Sequence, residues 1–141
     1  MKNIKKNLLI LLPLVCILLG CSSNEGYAPK RIKGYEIEAI NTTADSLDKS
    51  WIGELTYYTF HPDDTYKLTG KGKIIETGEY SYRKTERNKS QAVLTYSYKG
   101  DANIYTIFFE FTDSKSGTWK VHYPDSFKDA ESGTFKITKI P

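Results

Sequence analysis

From Gly34 onward, apolar and polar residues alternate with a period of two, the pattern of strands that bury one face. Tyr35, Ile37 and Ala39 alternate with Glu36 and Glu38. Asn41 to Ser50 breaks the pattern, and Thr42 followed by Asp45 predicts a short helix with Leu47 and Trp51 on its apolar side. Leu55 and Tyr57 alternate with Glu54 and Thr56, although Tyr58 and Phe60 blur that strand from the opposite face. His61-Pro62-Asp63-Asp64 is a turn signal, and Tyr66 and Leu68 form a short strand ended by Gly70-Lys71-Gly72. Four clearer strands and a last one follow. Their apolar faces are Gly78, Tyr80, Tyr82; Ala92, Leu94, Tyr96, Tyr98; Tyr105, Ile107, Phe109, Phe111; Trp119, Val121, Tyr123; and Phe135, Ile137 after a loop from Pro124 to Glu131.

The pattern predicts eight strands, near 35–40, 54–60, 65–69, 73–83, 91–99, 103–112, 117–123 and 133–139. Short links make sequential neighbours antiparallel partners, so the fold class is all-β with a meander order. Ser116-Gly117-Thr118-Trp119-Lys120-Val121 recurs sixteen residues later as Ser132-Gly133-Thr134-Phe135-Lys136-Ile137. Gly78-Glu79-Tyr80 and Gly53-Glu54-Leu55 share the Gly-x-apolar spacing. An inward glycine leaves room for a neighbouring ring and lets a strand bend. Eight meandering strands close naturally into an up-and-down barrel, with a two-sheet β-sandwich as the rival architecture.

Upstream the period disappears. Residues 2–7 are basic, and Leu8 to Leu19 is an uncharged apolar run of twelve residues, interrupted by Pro13. That length suits a signal h-region and falls short of the ~17–25 residues that span a bilayer. The leader also changes the charge argument. The chain has a formal charge of +3, with 20 basic and 17 acidic residues; without Lys2, Lys5 and Lys6 there remain 17 of each. A neutral domain offers no counterion-release term for a phosphate backbone, so nucleic acid is not an expected partner.

The apolar run stops at Leu18-Leu19-Gly20-Cys21, which resembles the lipobox of bacterial lipoprotein precursors: an aliphatic residue, a variable one, a small one, then cysteine. The resemblance implies cleavage by signal peptidase II between Gly20 and Cys21 and acyl chains on Cys21 that hold the protein to a membrane. Two or three chains suffice for stable anchoring, at ~0.8 kcal/mol per buried CH₂. Ser22, in place of Asp after the cysteine, implies outer-membrane sorting in a cell with two membranes. Cys16 would leave with the leader, so the mature chain would hold one cysteine and no disulfide. The expected organisation is a removed signal peptide at 1–20, the lipidated cysteine and a flexible tether at 21–33, and a single barrel domain at 34–141. The polar stretch 22–31 would reach roughly 30 Å if extended.

In strand number, meander order and Gly-x-aromatic pattern, the region from Gly34 is similar to the small lipocalin-like barrels of the calycin type, MoaF-like members included. It departs from true lipocalins in placing Gly117-Thr118-Trp119 on the seventh strand and in lacking their disulfide.

The inward face is rich in tyrosine: Tyr57, Tyr66, Tyr80, Tyr82, Tyr96, Tyr98 and Tyr105. Phenols bury an apolar body and need a partner for the hydroxyl. Either they converge on a ligand, with Tyr80, Tyr82, Tyr96, Tyr98, Tyr105 and Trp119 lining its site, or they fill the barrel as packed side chains. His61 and His122 lack the further convergent ligands that a metal requires, and Asp63 and Asp64 read as turn formers. No catalytic constellation and no cofactor motif is present, so the domain is expected not to be an enzyme. Two functions are open: capture of a small apolar or sugar-like ligand, or an envelope interaction protein built on a filled core.

Overall fold

The structure, a computed structural model, describes residues 26–44, 49–86, 88, 90–124 and 129–141. Gly20 and Cys21 lie outside the described residues. Eight strands follow in order: β1 (Tyr35–Ala44), β2 (Leu55–Phe60), β3 (Thr65–Gly70), β4 (Lys73–Lys84), β5 (Gln91–Tyr98), β6 (Tyr105–Phe111), β7 (Ser116–His122) and β8 (Asp129–Lys139). Each pairs antiparallel with its sequence neighbour, and β8 returns to pair with β1. The barrel is closed. The β1–β8 seam runs from Tyr35↔Lys139 to Ala44↔Glu131, which excludes the two-sheet sandwich. Closure leaves no sheet edge for another chain to pair with.

The predicted inward faces of β1 and of β3 to β8 are the buried ones. β2 is the exception, because Thr56 and Phe60 are buried while Leu55 is exposed. The inward set of that strand is therefore Thr56, Tyr58 and Phe60, and Tyr57 belongs to the outer wall. Turning β2 the other way would put the Phe60 ring in water to bury a smaller leucine. Gly53 is likewise a turn residue at φ +81° and not an inward strand position. The helix expected around Thr42 is replaced by a longer β1. Thr42 and Thr43 belong to that strand, and a 3₁₀ turn follows at Lys49–Trp51; Asp45 and Leu47 lie outside the described residues. β-branched threonines suit a strand whose partner, β8, supplies the hydrogen bonds. β8 also starts earlier than expected, at Asp129, which shortens the loop before it.

Gly78, Gly117 and Gly133 show why the Gly-x-aromatic unit recurs. A methyl group on Gly133 would sit 1.9 Å from the Ile40 carbonyl oxygen and 2.8 Å from Trp119 Nε1. At Gly117 the distances are 2.0 Å to the Glu110 carbonyl and 2.8 Å to the Phe135 ring, and at Gly78 the Ser97 carbonyl is 1.9 Å away. These glycines permit a neighbouring strand's backbone to approach, and two of them also make room for the ring of the residue paired with them on the adjacent strand. The hairpin at Lys71-Gly72 uses a different property, because both residues have positive φ, as a tight two-residue turn requires.

The two ends of the barrel differ. One is crossed by residues 26–33. Tyr27 N donates to Ser90 Oγ (3.2 Å), Pro29 O accepts from the Tyr82 hydroxyl (2.8 Å), and Gly34 N donates to Phe60 O (2.9 Å). Ala28 and Ile32 join the core, with Ile32 only 1% exposed. The expected tether is thus not free over its described part, and the barrel domain begins before Gly34. The other end carries all three register shifts of the barrel, at Asn41/Thr43, Leu68/Thr69 and Val121/His122. Bulges collect at barrel rims and re-aim side chains there.

Gly133→Ala is expected to lower unfolding stability by at least about 2 kcal/mol, because backbone as well as a ring must move. Ile32→Ala should cost ~2–5 kcal/mol by emptying the crossing segment's contact with the core. Denaturant unfolding of each variant measures both, and unchanged midpoints would contradict the described packing.

The open end of the barrel as candidate functional site

Alternation places seven side chains on the inner surface toward the end that residues 26–33 do not cross, open among the described residues: Asn41 of β1, Tyr58 of β2, Glu76 of β4, Tyr96 and Tyr98 of β5, Tyr105 of β6 and Glu131 of β8. Tyr123, just beyond β7, joins them. The rings form a chain of contacts, with centroids 5.3 Å apart for Tyr96–Tyr105, 4.7 Å for Tyr98–Tyr105, 5.6 Å for Tyr105–Tyr123 and 5.5 Å for Tyr66–Tyr96. Such pairs each contribute about 0.5–1.5 kcal/mol beyond area burial. The opposite half of the core is phenylalanine-rich, with Phe135 edge-on to both Phe109 (5.2 Å) and Phe111 (4.9 Å).

The phenols at the open end satisfy carboxylates. Tyr66 donates to Glu76 Oε1 at 2.6 Å, Tyr123 to Glu131 Oε1 at 3.2 Å, and Tyr105 to Asp101 Oδ2 at 2.9 Å. The Asn41 amide donates to the other Glu131 oxygen at 3.2 Å. No buried side-chain nitrogen or oxygen among the described residues lacks a partner. Burial raises the Glu76 carboxyl above its ordinary value, a rise that the Tyr66 hydroxyl offsets only in part. Burial likewise raises the phenols of Tyr58, Tyr66, Tyr96, Tyr98 and Tyr123, and nearby carboxylates add to it. These hydroxyls are neutral donors over the whole physiological range.

The six residues expected to line a ligand site are not brought together. Tyr96, Tyr98 and Tyr105 stand at the open end. Tyr80 and Tyr82 lie toward the crossed end, where their hydroxyls donate to the carbonyls of His61 (3.1 Å) and Pro29 (2.8 Å). The Tyr80 phenol is pushed up to about 12, by burial first and by Asp64 second. Trp119 is buried at mid-height, its Nε1 donating to the Thr134 carbonyl (3.2 Å). Five members of the open end were not among those six: Asn41, Tyr58, Glu76, Tyr123 and Glu131. Parity was the available signal for four of them, which lie two residues from the inward positions Ala39, Gly78, Val121 and Gly133, whereas Tyr58 was hidden by the ambiguous face of β2.

Around this end stand five of the eight large apolar side chains that are exposed among the described residues: Ile52, Leu55, Ile74, Ile75 and Ile104. Ile74 and Ile104 are the most open, at 65% and 63% exposure. A groove of about 660 Å³ lies elsewhere, on the outer wall over β3, β4 and β5, and is lined by Lys67, Thr77, Glu79, Ser97 and Lys99 with Gly78 beneath. His61 borders that groove, whereas His122 packs on the outer wall against the Phe108 ring at 4.9 Å. Asp63 accepts from both the amide (3.2 Å) and the hydroxyl (2.7 Å) of Thr65, a turn former as expected. Among the described residues no three of His, Cys, Asp and Glu converge as a metal site would need. Comparison with known protein families, curated proteins and solved structures finds no match.

Two titrations follow. The folded value of Glu76 is raised, so its contribution to stability is complete below the unfolded carboxylate value of about 4.3 and is lost as pH rises through the folded value. The melting temperature of Glu76→Gln, relative to the parent protein, should therefore rise from about pH 4 to about pH 8. A constant difference would contradict the desolvated placement. For the raised phenols, stability is complete below the free value of about 10 and declines above it. In alkali their phenolate absorbance should appear together with the loss of circular dichroism, not before it.

Proposed function

We propose that this protein is a non-catalytic lipoprotein of the bacterial cell envelope whose barrel is a filled scaffold, and that its open end is the face that meets a protein partner. The observation that carries the reading is the gathering of exposed aliphatic side chains around one end of a barrel whose interior is occupied by stacked rings. Exposed apolar groups that cluster on one face mark interaction sites, and tyrosine beside aliphatic side chains is the composition of such faces. Capture of a small apolar or sugar-like ligand inside the barrel has less support, because the phenols already meet one another and the carboxylates.

The lipobox supports the address. Acyl chains on Cys21 would hold the protein at an envelope membrane, the outer one in a two-membrane cell given Ser22. Four residues lie between Cys21 and Gly26, where the chain has joined the barrel, so five Cα-to-Cα steps give a reach of roughly 17 Å. That is shorter than the sequence alone implied. The crossed end then stays near the headgroups and the isoleucine-rimmed end points away from them, toward whatever stands in the adjoining compartment.

Mass spectrometry of the membrane fraction should find an acylated peptide starting at Cys21, and Cys21→Ser should release the barrel from the membrane. An unmodified soluble chain in the parent strain would refute the anchor. A photo-crosslinking side chain in place of Ile74 or Ile104 should yield a discrete protein adduct in cells, and one in place of Thr134 on the opposite part of the wall should not. Adducts of the same pattern from all three positions would refute the open end as the interacting face.

A further inference from the structure

Glu76 and Glu131 both lie on the inward face at the same end and are joined through touching rings: Tyr66, bonded to Glu76, meets Tyr96, which meets Tyr105, which meets Tyr123, bonded to Glu131. Among the described residues, the side-chain donors they receive are neutral: the Tyr66 hydroxyl on Glu76, and the Tyr123 hydroxyl with the Asn41 amide on Glu131. Among the described residues no lysine or arginine lies within ion-pair distance of either one. Lys71, at the same end, is committed elsewhere: it stands over the Trp51 ring at 4.4 Å and within 3.9 Å of Glu54. Among the described residues, two half-buried carboxylates therefore share a wall of phenol rings without a compensating cation, an arrangement that costs stability unless something supplies one. The π-faces of tyrosine also favour a cation.

We propose that the open end takes a basic side chain of its partner protein, an arginine or lysine whose charged head enters between Glu76 and Glu131. The apolar residues that flank it on the partner pack against Ile52, Leu55, Ile74 and Ile104. Charge complementarity sets the head, and the ring of exposed aliphatics sets the flanks, which a small free amine would leave uncovered. A guanidinium, planar and with five donors, matches the unused lone pairs of two carboxylates better than an ammonium does. This inference rests on the proposed interaction face and adds the chemistry of what docks there.

The test uses the mature protein isolated from cells and the capped peptide Leu-Arg-Leu, with citrulline in place of arginine as the neutral isostere and butylguanidinium as the head alone. Binding is followed by tyrosine ring shifts in NMR. The arginine peptide should bind saturably and at least tenfold more tightly than the citrulline peptide. Glu76→Gln and Glu131→Gln, each of which preserves side-chain shape, should shrink that ratio, and Ile104→Ser should weaken both peptides alike. Equal binding of the two peptides, or none by either, overturns the cationic occupant while cross-links from Ile74 and Ile104 still decide the interaction face. Butylguanidinium binding as tightly as the arginine peptide would assign the site to a small organic cation and overturn the protein partner.

Discussion

The seam between β1 and β8 is the contact on which the barrel depends. Eight strands that failed to close would expose two edges and uncover the rings between them. Closure brings the Ile40 carbonyl so near to Gly133 that no side chain fits there, and Trp119 occupies the space a side chain would have filled. The same exchange of a side chain for a backbone approach occurs at Gly117, with Phe135 as the ring. Backbone curvature and ring packing are therefore one event: the residue that lets the strand coil is the residue that admits the aromatic.

Once the barrel is closed, the chemistry of its rings divides it. Phenylalanine needs no partner and collects toward the end that residues 26–33 cross, beneath Ala28 and Ile32. The phenols whose hydroxyls need side-chain acceptors collect toward the open end, where Glu76, Asp101 and Glu131 supply them. Tyr80 and Tyr82 keep to the crossed end only because backbone carbonyls of His61 and Pro29 receive their hydroxyls. The three bulges fall where the carboxylates enter, and the shift in β3–β4 lies between Leu68, opposite Glu76, and Thr69, opposite the exposed Ile74. One rim thus combines inward acids with outward aliphatics.

The fold was largely legible because an apolar residue at every second position is a strong signal, and seven of the eight strands carried it. β2 misled because Leu55-Thr56-Tyr57-Tyr58-Thr59-Phe60 is apolar on both parities, so its face is chosen by which rings find space inside the closed barrel. The helix expected at Thr42 misled for a related reason: Ser/Thr-x-x-acid reads as a helix start only where no partner strand is waiting, and β8 was waiting. At the site, tyrosines announced themselves by type, whereas Glu76 and Glu131 looked like surface residues. Their parity places them inside, and only the neighbouring phenols make an inward carboxylate tolerable.

By itself the sequence determined the alternation, the number and order of strands and the need for glycine at repeated positions, since these follow from the two-residue period of a strand and the size of a side chain. It also carries the lipobox-like Leu18-Leu19-Gly20-Cys21 as a local signal that needs no fold to be read. The tertiary structure decided which end of the barrel is crossed and which is open, that residues 26–33 belong to the domain, and that the tyrosines split between two environments. Those outcomes depend on contacts between residues distant in the chain, such as Tyr82 with Pro29 and Asn41 with Glu131, whose energies exist only after the seam has closed.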